Sequence, residues 1–151
     1  MPWLEQNYSV YHGVLDLYGY FFELGSKLLK SQGRLAYISS ATFFKTGSGE
    51  NLRQHLSNEV MLEKIIDFGD VQIFEGVTTY PAILVLQNKS PDGDHKVQIL
   101  KVKDKLPENL QLSFDQDKKL MAHSQLGQQS WQLENENLHA LRKKLTYDFP
   151  P

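Results

Sequence analysis

The chain has 151 residues, 16 basic against 18 acidic side chains for a formal net charge of -2, 40% hydrophobic residues and no cysteine. That length permits one core. The missing cysteines exclude a disulfide scaffold, a thiolate metal site and a cysteine nucleophile, and the charge balance argues against a self-sufficient nucleic-acid binder, whose affinity comes largely from Lys and Arg at phosphates, so that any DNA contact would need help from other parts. No apolar run approaches the roughly 18 residues of a membrane span, and Met1-Pro2-Trp3-Leu4-Glu5 is unlike a signal sequence, so a cytoplasmic protein with no membrane partner is expected.

In chain order, residues 1–13 carry Pro2, Asn7, Ser9 and Gly13 among scattered aromatics and predict an irregular lead-in. From Leu15 to Lys30, Leu17, Phe21, Leu24 and Leu28 recur at three-to-four spacing, with Asp16 in an acidic first turn, which predicts an amphipathic helix ended by Gly33. Arg34-Leu35-Ala36-Tyr37-Ile38, bounded by a glycine and two serines, predicts a buried strand. Ser48 is placed to cap a second helix over about Gly49 to Ser57, with Leu52 and Leu56 facing inward. Leu62 to Phe68 predicts the next strand, closed by Asp67-Phe68-Gly69-Asp70, and Val71 to Tyr80 a loop.

Ala82-Ile83-Leu84-Val85-Leu86 is a third, fully buried kind of strand. The turn Ser90-Pro91-Asp92-Gly93-Asp94 then predicts that Val97 to Val102 pairs back on it as a hairpin. Lys103 to Gln129 is polar and weakly patterned, predicting an irregular edge, and Glu134 to Leu145 predicts a terminal helix with Leu138, Leu141 and Leu145 on one stripe and Arg142-Lys143-Lys144 near its negative end. Residues 1–102 therefore form one unit, and 103–151 an extension with a terminal helix.

Generic catalytic motifs are absent. His12, His55, His95, His123 and His139 are isolated, without ligand-like spacing, so no metal site is expected. There is no GxSxG elbow and no GxxxxGK phosphate loop. Gly47-Ser48-Gly49 before a helix invites a phosphate-cradle reading, but it is too short to support one. Asp67-Phe68-Gly69 imitates the kinase magnesium motif without the glycine loop, lysine strand and catalytic loop a kinase needs. Residue types alone give a soluble α/β domain, one part of something larger.

The order Asp16-Leu17-Tyr18-Gly19-Tyr20-Phe21, Lys27-Leu28-Leu29-Lys30, then Gly33-Arg34-Leu35-Ala36-Tyr37-Ile38 resembles the adenine-N6 DNA methyltransferases of the gamma type, the methylase portions of type II restriction-modification enzymes. The resemblance continues through Gly49-Glu50-Asn51-Leu52-Arg53, Ile65-Ile66-Asp67-Phe68-Gly69-Asp70, Ile73-Phe74-Glu75 and Tyr80-Pro81-Ala82-Ile83-Leu84-Val85-Leu86, covering roughly residues 11–90. It implies the rear half of a Rossmann-like, S-adenosylmethionine-dependent methyltransferase sheet with a C-terminal antiparallel hairpin.

In that family a target adenine is swung out of the duplex and held between apolar faces. The resemblance puts Phe74 in the stacking role, against the alternative that it plugs the loop into the core. It puts Leu17 and Phe21 against the adenosine of S-adenosylmethionine, where apolar residues four apart are otherwise core residues. Asp16 would cap its helix or orient the neighbouring loop, and Lys45, Arg53 and Arg142-Lys143-Lys144 would touch phosphates if they are more than solvated charge.

Two family segments have no counterpart in this sequence: the glycine-bearing strand-to-helix turn, and the Asn/Asp/Ser-Pro-Pro-aromatic motif whose polar side chain and proline carbonyl make the adenine amine nucleophilic. The sole Pro-Pro, Pro150-Pro151, follows Asp148-Phe149 and lacks a following aromatic. Ser31-Gln32-Gly33 and Ser39-Ser40 depart from family prolines and glycines. No catalytic residue is assigned to this chain, and the expectation is a fragment of an adenine-specific DNA methyltransferase, inactive alone. Its missing N-terminal half and a target-recognition region would lie elsewhere. The alternative is a non-catalytic interaction module, or split half, that docks on a partner through its aromatic start, Trp3, Tyr8 and Tyr11; open strand edges also make self-association plausible.

Overall fold

The computed structural model describes residues 2–133 together with 141, 144 and 145. Among the described residues, five strands form one sheet in the order β1-β3-β2-β4-β5, with β1 at Arg34–Ser40, β2 at Met61–Asp67, β3 at Pro81–Gln87, β4 at Lys96–Lys101 and β5 at Lys119–Ala122. The helices are α1 (Pro2–Asn7), α2 (Leu17–Leu28), α3 (Glu50–Asn58) and α4 (Leu110–Asp117). No helix among the described residues is long and apolar enough to cross a membrane.

The first three strands fall where the short apolar runs predict them. β3 lies between β1 and β2 and is antiparallel to both, with Ile38 opposite Ile83 and Ile65 opposite Leu84. The expected hairpin between the third and fourth strands does not form. With both edges of β3 taken, β4 uses the remaining edge of β2 and runs parallel to it, Ile65 opposite Ile99. The antiparallel pairing at the C-terminal side is instead made by β5 on β4, Val97 opposite Met121.

Two segments expected to be irregular are partly regular. Pro2 starts α1 at a position where its missing N–H costs nothing. Tyr8, just beyond α1, packs edge-on against Tyr20 at 5.4 Å; Tyr8 and Tyr11 lean on the core, and of the three lead-in aromatics only Trp3 is largely exposed. Within 103–129, Asn109 accepts a hydrogen bond from the Leu112 N–H at 2.9 Å and caps α4. The expected terminal helix lies outside the described residues except for Leu141, Lys144 and Leu145.

Helix α2 turns the opposite way from the one its leucines predict. Gly19, Tyr20, Phe22, Glu23 and Ser26 are buried, whereas Leu17, Phe21 and Leu28 are 67%, 47% and 76% exposed. Both stripes have helical period, and close packing decides between them: Gly25 lets Leu35 of β1 approach where a Cβ would lie 2.7 Å from its Cδ2, and Phe22 meets Tyr37 at 5.3 Å. At the entry to α3, Gly49 is the N-cap residue and Ser48 makes no cap; a Cβ on Gly49 would sit 2.4 Å from the Phe43 carbonyl oxygen, so the close approach needs glycine.

The buried polar groups give the fold an acid limit. Burial pushes the Glu23 carboxyl up, but hydrogen bonds from Lys27 and the Val10 and Ser9 N–H groups, with the Lys27 charge, outweigh it and hold it below the ordinary value. Burial, the largest cause at each, lowers His55 and His123, and the His123 Nε2 accepts from the Leu62 N–H at 3.2 Å, an acceptor that protonation would remove. Depressed histidines contribute stability that is complete above the unfolded value of about 6.5 and is lost as pH falls through the folded values, because the unfolded chain binds protons first. Glu23 adds a second loss below about pH 4.3. Urea midpoints should decline from pH 7 downward in two stages, and a midpoint flat from pH 7 to 5 would contradict the buried, neutral histidines.

Candidate functional site at the ends of the strands

The carboxyl ends of β1 and β2 meet the start of β3, with Ser40 opposite Pro81 and Asp67 opposite Ala82. The 68–80 loop closes this rim. Phe68 and Val71 are buried at its root, the Phe68 N–H donates to the Pro81 carbonyl at 3.1 Å, and the Ala41 N–H donates to the Tyr80 carbonyl at 2.6 Å. Asp67 Oδ1 accepts from the Gly69 N–H at 2.9 Å, at a residue whose φ of 55° favours glycine.

Phe74 stands at the far side of this anchored loop, 46% exposed, between the root and Tyr80. Its carbonyl accepts from the Val77 N–H at 3.4 Å, one residue past Gly76 at φ 72°. The loop is held at both ends, and its phenylalanine is half-exposed.

Across the rim is a hydroxyl cluster that sequence reasoning missed. The Ser40 hydroxyl donates to Thr42 Oγ1 at 3.0 Å, and Tyr18 lies within hydrogen-bond distance of the same atom at 3.3 Å. Burial raises the Tyr18 phenol, the bond to Thr42 partly offsets it and the Asp16 charge adds to the rise, so Tyr18 is a neutral hydroxyl. Asp16 occupies the N-cap of α2 with extended backbone but makes no side-chain capping bond, which leaves its carboxylate exposed at this rim. The signals were Tyr18 inside the helix motif and the serines standing in place of a proline.

Of the candidate phosphate contacts, Arg53 is structural. It is 4% exposed, and its guanidinium donates to the carbonyls of Phe43, Thr46 and Gln128 at 2.5, 2.7 and 2.8 Å. Lys45 and Lys144 are exposed, and Arg142 and Lys143 lie outside the described residues. Gly47–Gly49 forms a turn of 3-10 helix with Gly49 buried. The described residues hold no group of three His, Asp or Glu arranged for a metal.

The fold comes first: an open, mixed sheet consistent with a partial Rossmann-like methyltransferase fold. It superimposes on the type IIG restriction endonuclease BpuSI over 96% of this chain and 19% of that one, with a TM-score of 0.67 at 16% identity. The EcoKI M protein of a type I restriction enzyme superimposes over 68% of this chain and 25% of that one, with a TM-score of 0.51 at 14% identity. Sequence comparison then gives the family-level match: residues 2–74 match the Eco57I restriction-modification methylases. The restriction enzyme and methyltransferase RM.Eco57I of Escherichia coli is 35% identical over 59% of this chain and 9% of its own length. The type II methyltransferase M.HincII of Haemophilus influenzae is 33% identical over 66% of this chain and 20% of its own. The chain thus spans a fifth or less of the curated relatives it matches.

S-adenosylmethionine fits these residues only in part. Leu17 and Phe21 offer an exposed apolar face suited to a flat adenine ring, but the described rim holds hydroxyls and no glycine-bearing strand-to-helix turn to receive the sulfonium and amino-acid end.

Proposed function

We propose that this chain is the rear portion of an adenine-specific DNA methyltransferase of the restriction-modification type, which in its complete form moves a methyl group from S-adenosylmethionine to adenine N6. The observation that carries this reading is Phe74, half-exposed on a loop anchored at both ends beside the strand-end rim. That is the place and the exposure a ring needs to stack on an extruded base. The amine-activating motif and the main cofactor turn are absent from the sequence, so the chain alone should be inactive.

The test is complementation. Tritiated S-adenosylmethionine and duplex DNA are supplied to this chain, to a companion polypeptide carrying the glycine turn and the Pro-Pro-aromatic motif of RM.Eco57I, and to both together. Transfer to adenine N6 only in the mixture is expected. Transfer by this chain alone, or to cytosine, would overturn the reading.

The split-half alternative has its own support and is compatible with the first. The outer edge of β1 is unpaired among the described strands, and Leu17, Phe21 and Leu28 of α2 and Ile38 of β1 are exposed, an apolar face that a companion half would cover. Replacing Leu17 and Phe21 by serine should leave the thermal midpoint nearly unchanged, since both are exposed, and reduce complementation at least tenfold. Normal complementation by this variant would place the companion elsewhere.

A further inference from the structure

We propose that a lysine-lined cleft between the end of β4, the segment following it and α4 binds the phosphate backbone of duplex DNA. The proposal rests on the DNA methyltransferase reading for the identity of the polyanion. The cleft has a volume of about 840 Å³ and is lined by Lys101, Lys103, Lys105 and Lys119, with the Ser113 hydroxyl and one carboxylate, Asp117.

Four lysines converge here although the chain as a whole is acidic. Three lysines outside the cleft are ion-paired, Lys27 with Glu23, Lys89 with Asp92 at 2.7 Å and Lys118 with Asp115 at 3.8 Å. None of the four cleft lysines has an ion-pair partner among the described residues. Gathering like charges in a concavity raises the free energy of the free protein, and an incoming polyanion relieves it while releasing counterions.

Local backbone builds this arrangement. Asp104 adopts φ 62°, and the Lys105 N–H donates to the Lys103 carbonyl at 2.7 Å. This tight turn brings both flanking lysines to the same cleft. Lys119 reaches it from β5, where it stands opposite Ile99.

Position links the cleft to the rim. β4 runs parallel to β2, and the Val102 N–H donates to the Asp67 carbonyl at 2.8 Å, so the lysine segment leaves the sheet at the end from which the Phe74 loop departs. The wall contains no arginine, aromatic ring or glycine turn. A base-reading or mononucleotide site would use those groups, whereas lysines act as point charges along a backbone and position without reading sequence.

The test is fluorescence anisotropy of the full chain with a short labelled DNA duplex of arbitrary sequence across a salt series. Four phosphate contacts predict a log-log slope of about -3 to -4. Replacing Lys101, Lys103, Lys105 and Lys119 by glutamine should bring the slope close to zero and weaken low-salt binding at least tenfold. The double variant Lys103→Gln, Lys105→Gln alters only the exposed turn and should lose about half the slope, which keeps the test valid if the quadruple variant does not fold. An unchanged slope in the lysine variants would overturn the proposal, as would failure of the duplex to bind while inorganic tripolyphosphate binds. Complementation that fails while the slope behaves as expected would sink the methyltransferase reading alone; complementation that works with an unchanged slope would sink the cleft alone.

Discussion

Replacing Trp131 by alanine should cost about 3 to 5 kcal/mol of folding stability, the range for truncating a buried large aromatic. Trp131 is 1% exposed and packs against Phe43 at 5.7 Å and Phe44 at 5.4 Å. Its indole N–H donates to the Gly127 carbonyl at 2.7 Å, and its backbone N–H donates to the Phe44 carbonyl at 2.7 Å. Truncation would open a cavity between rings that cannot collapse without moving the Thr42–Phe44 turn. Since domains of this size have only about 5 to 15 kcal/mol in total, the variant should be largely unfolded at moderate urea concentrations. The measurement is urea denaturation beside Trp131→Phe, which should lose less. A loss below about 1 kcal/mol would mean that the segment does not seal the core. Thr42, which anchors the hydroxyl cluster of the rim, sits on the same turn, so this distant tryptophan also holds the candidate site in shape.

Phe74→Ala should have the opposite profile, with little effect on stability and a large effect on the complemented reaction. The ring is 46% exposed, so its removal leaves no sealed cavity. Stacking on a base is worth about 1 to 3 kcal/mol, and its loss corresponds to roughly a 5- to 150-fold fall in kcat/KM. Phe74→Tyr or Phe74→Trp should retain most of the rate because each keeps a flat face. A duplex with 2-aminopurine at the target position gives an independent readout: its fluorescence on binding should change between native protein and Phe74→Ala if the ring meets the extruded base. Unchanged kinetics and unchanged fluorescence in Phe74→Ala would remove the residue from the site.

Much of the fold was legible because β3 is a continuous apolar run, β1 holds a shorter one, β2 has apolar pairs on either side of Glu63-Lys64 and α3 is a short periodic helix, signals that depend only on near neighbours in sequence. The loop with Phe74 was legible for the same reason, lying between two clear strands. The hydroxyl cluster was not: Tyr18 and Thr42 are 24 residues apart and share a rim only because α2 and β1 pack together. The lysine cleft was hidden in a segment without apolar periodicity, where neither α4 nor the turn at Asp104 has a strong local signature.

The sequence by itself determined which stretches become strand or helix between residues 15 and 90, but not the short α1 before them. It also left α2 two apolar faces of equal period, and marked β4 as a strand behind a turn that pointed to β3 as its neighbour. Tertiary structure decided both. Gly25 admits Leu35 closely enough to bury the Phe22 side and leave Leu17 and Phe21 outside, and β3, already paired on both edges, left β4 only the open edge of β2. Periodicity is a property of neighbours along the chain, whereas the burial of a face and the partner of a strand depend on which surfaces and backbone edges other segments have already occupied.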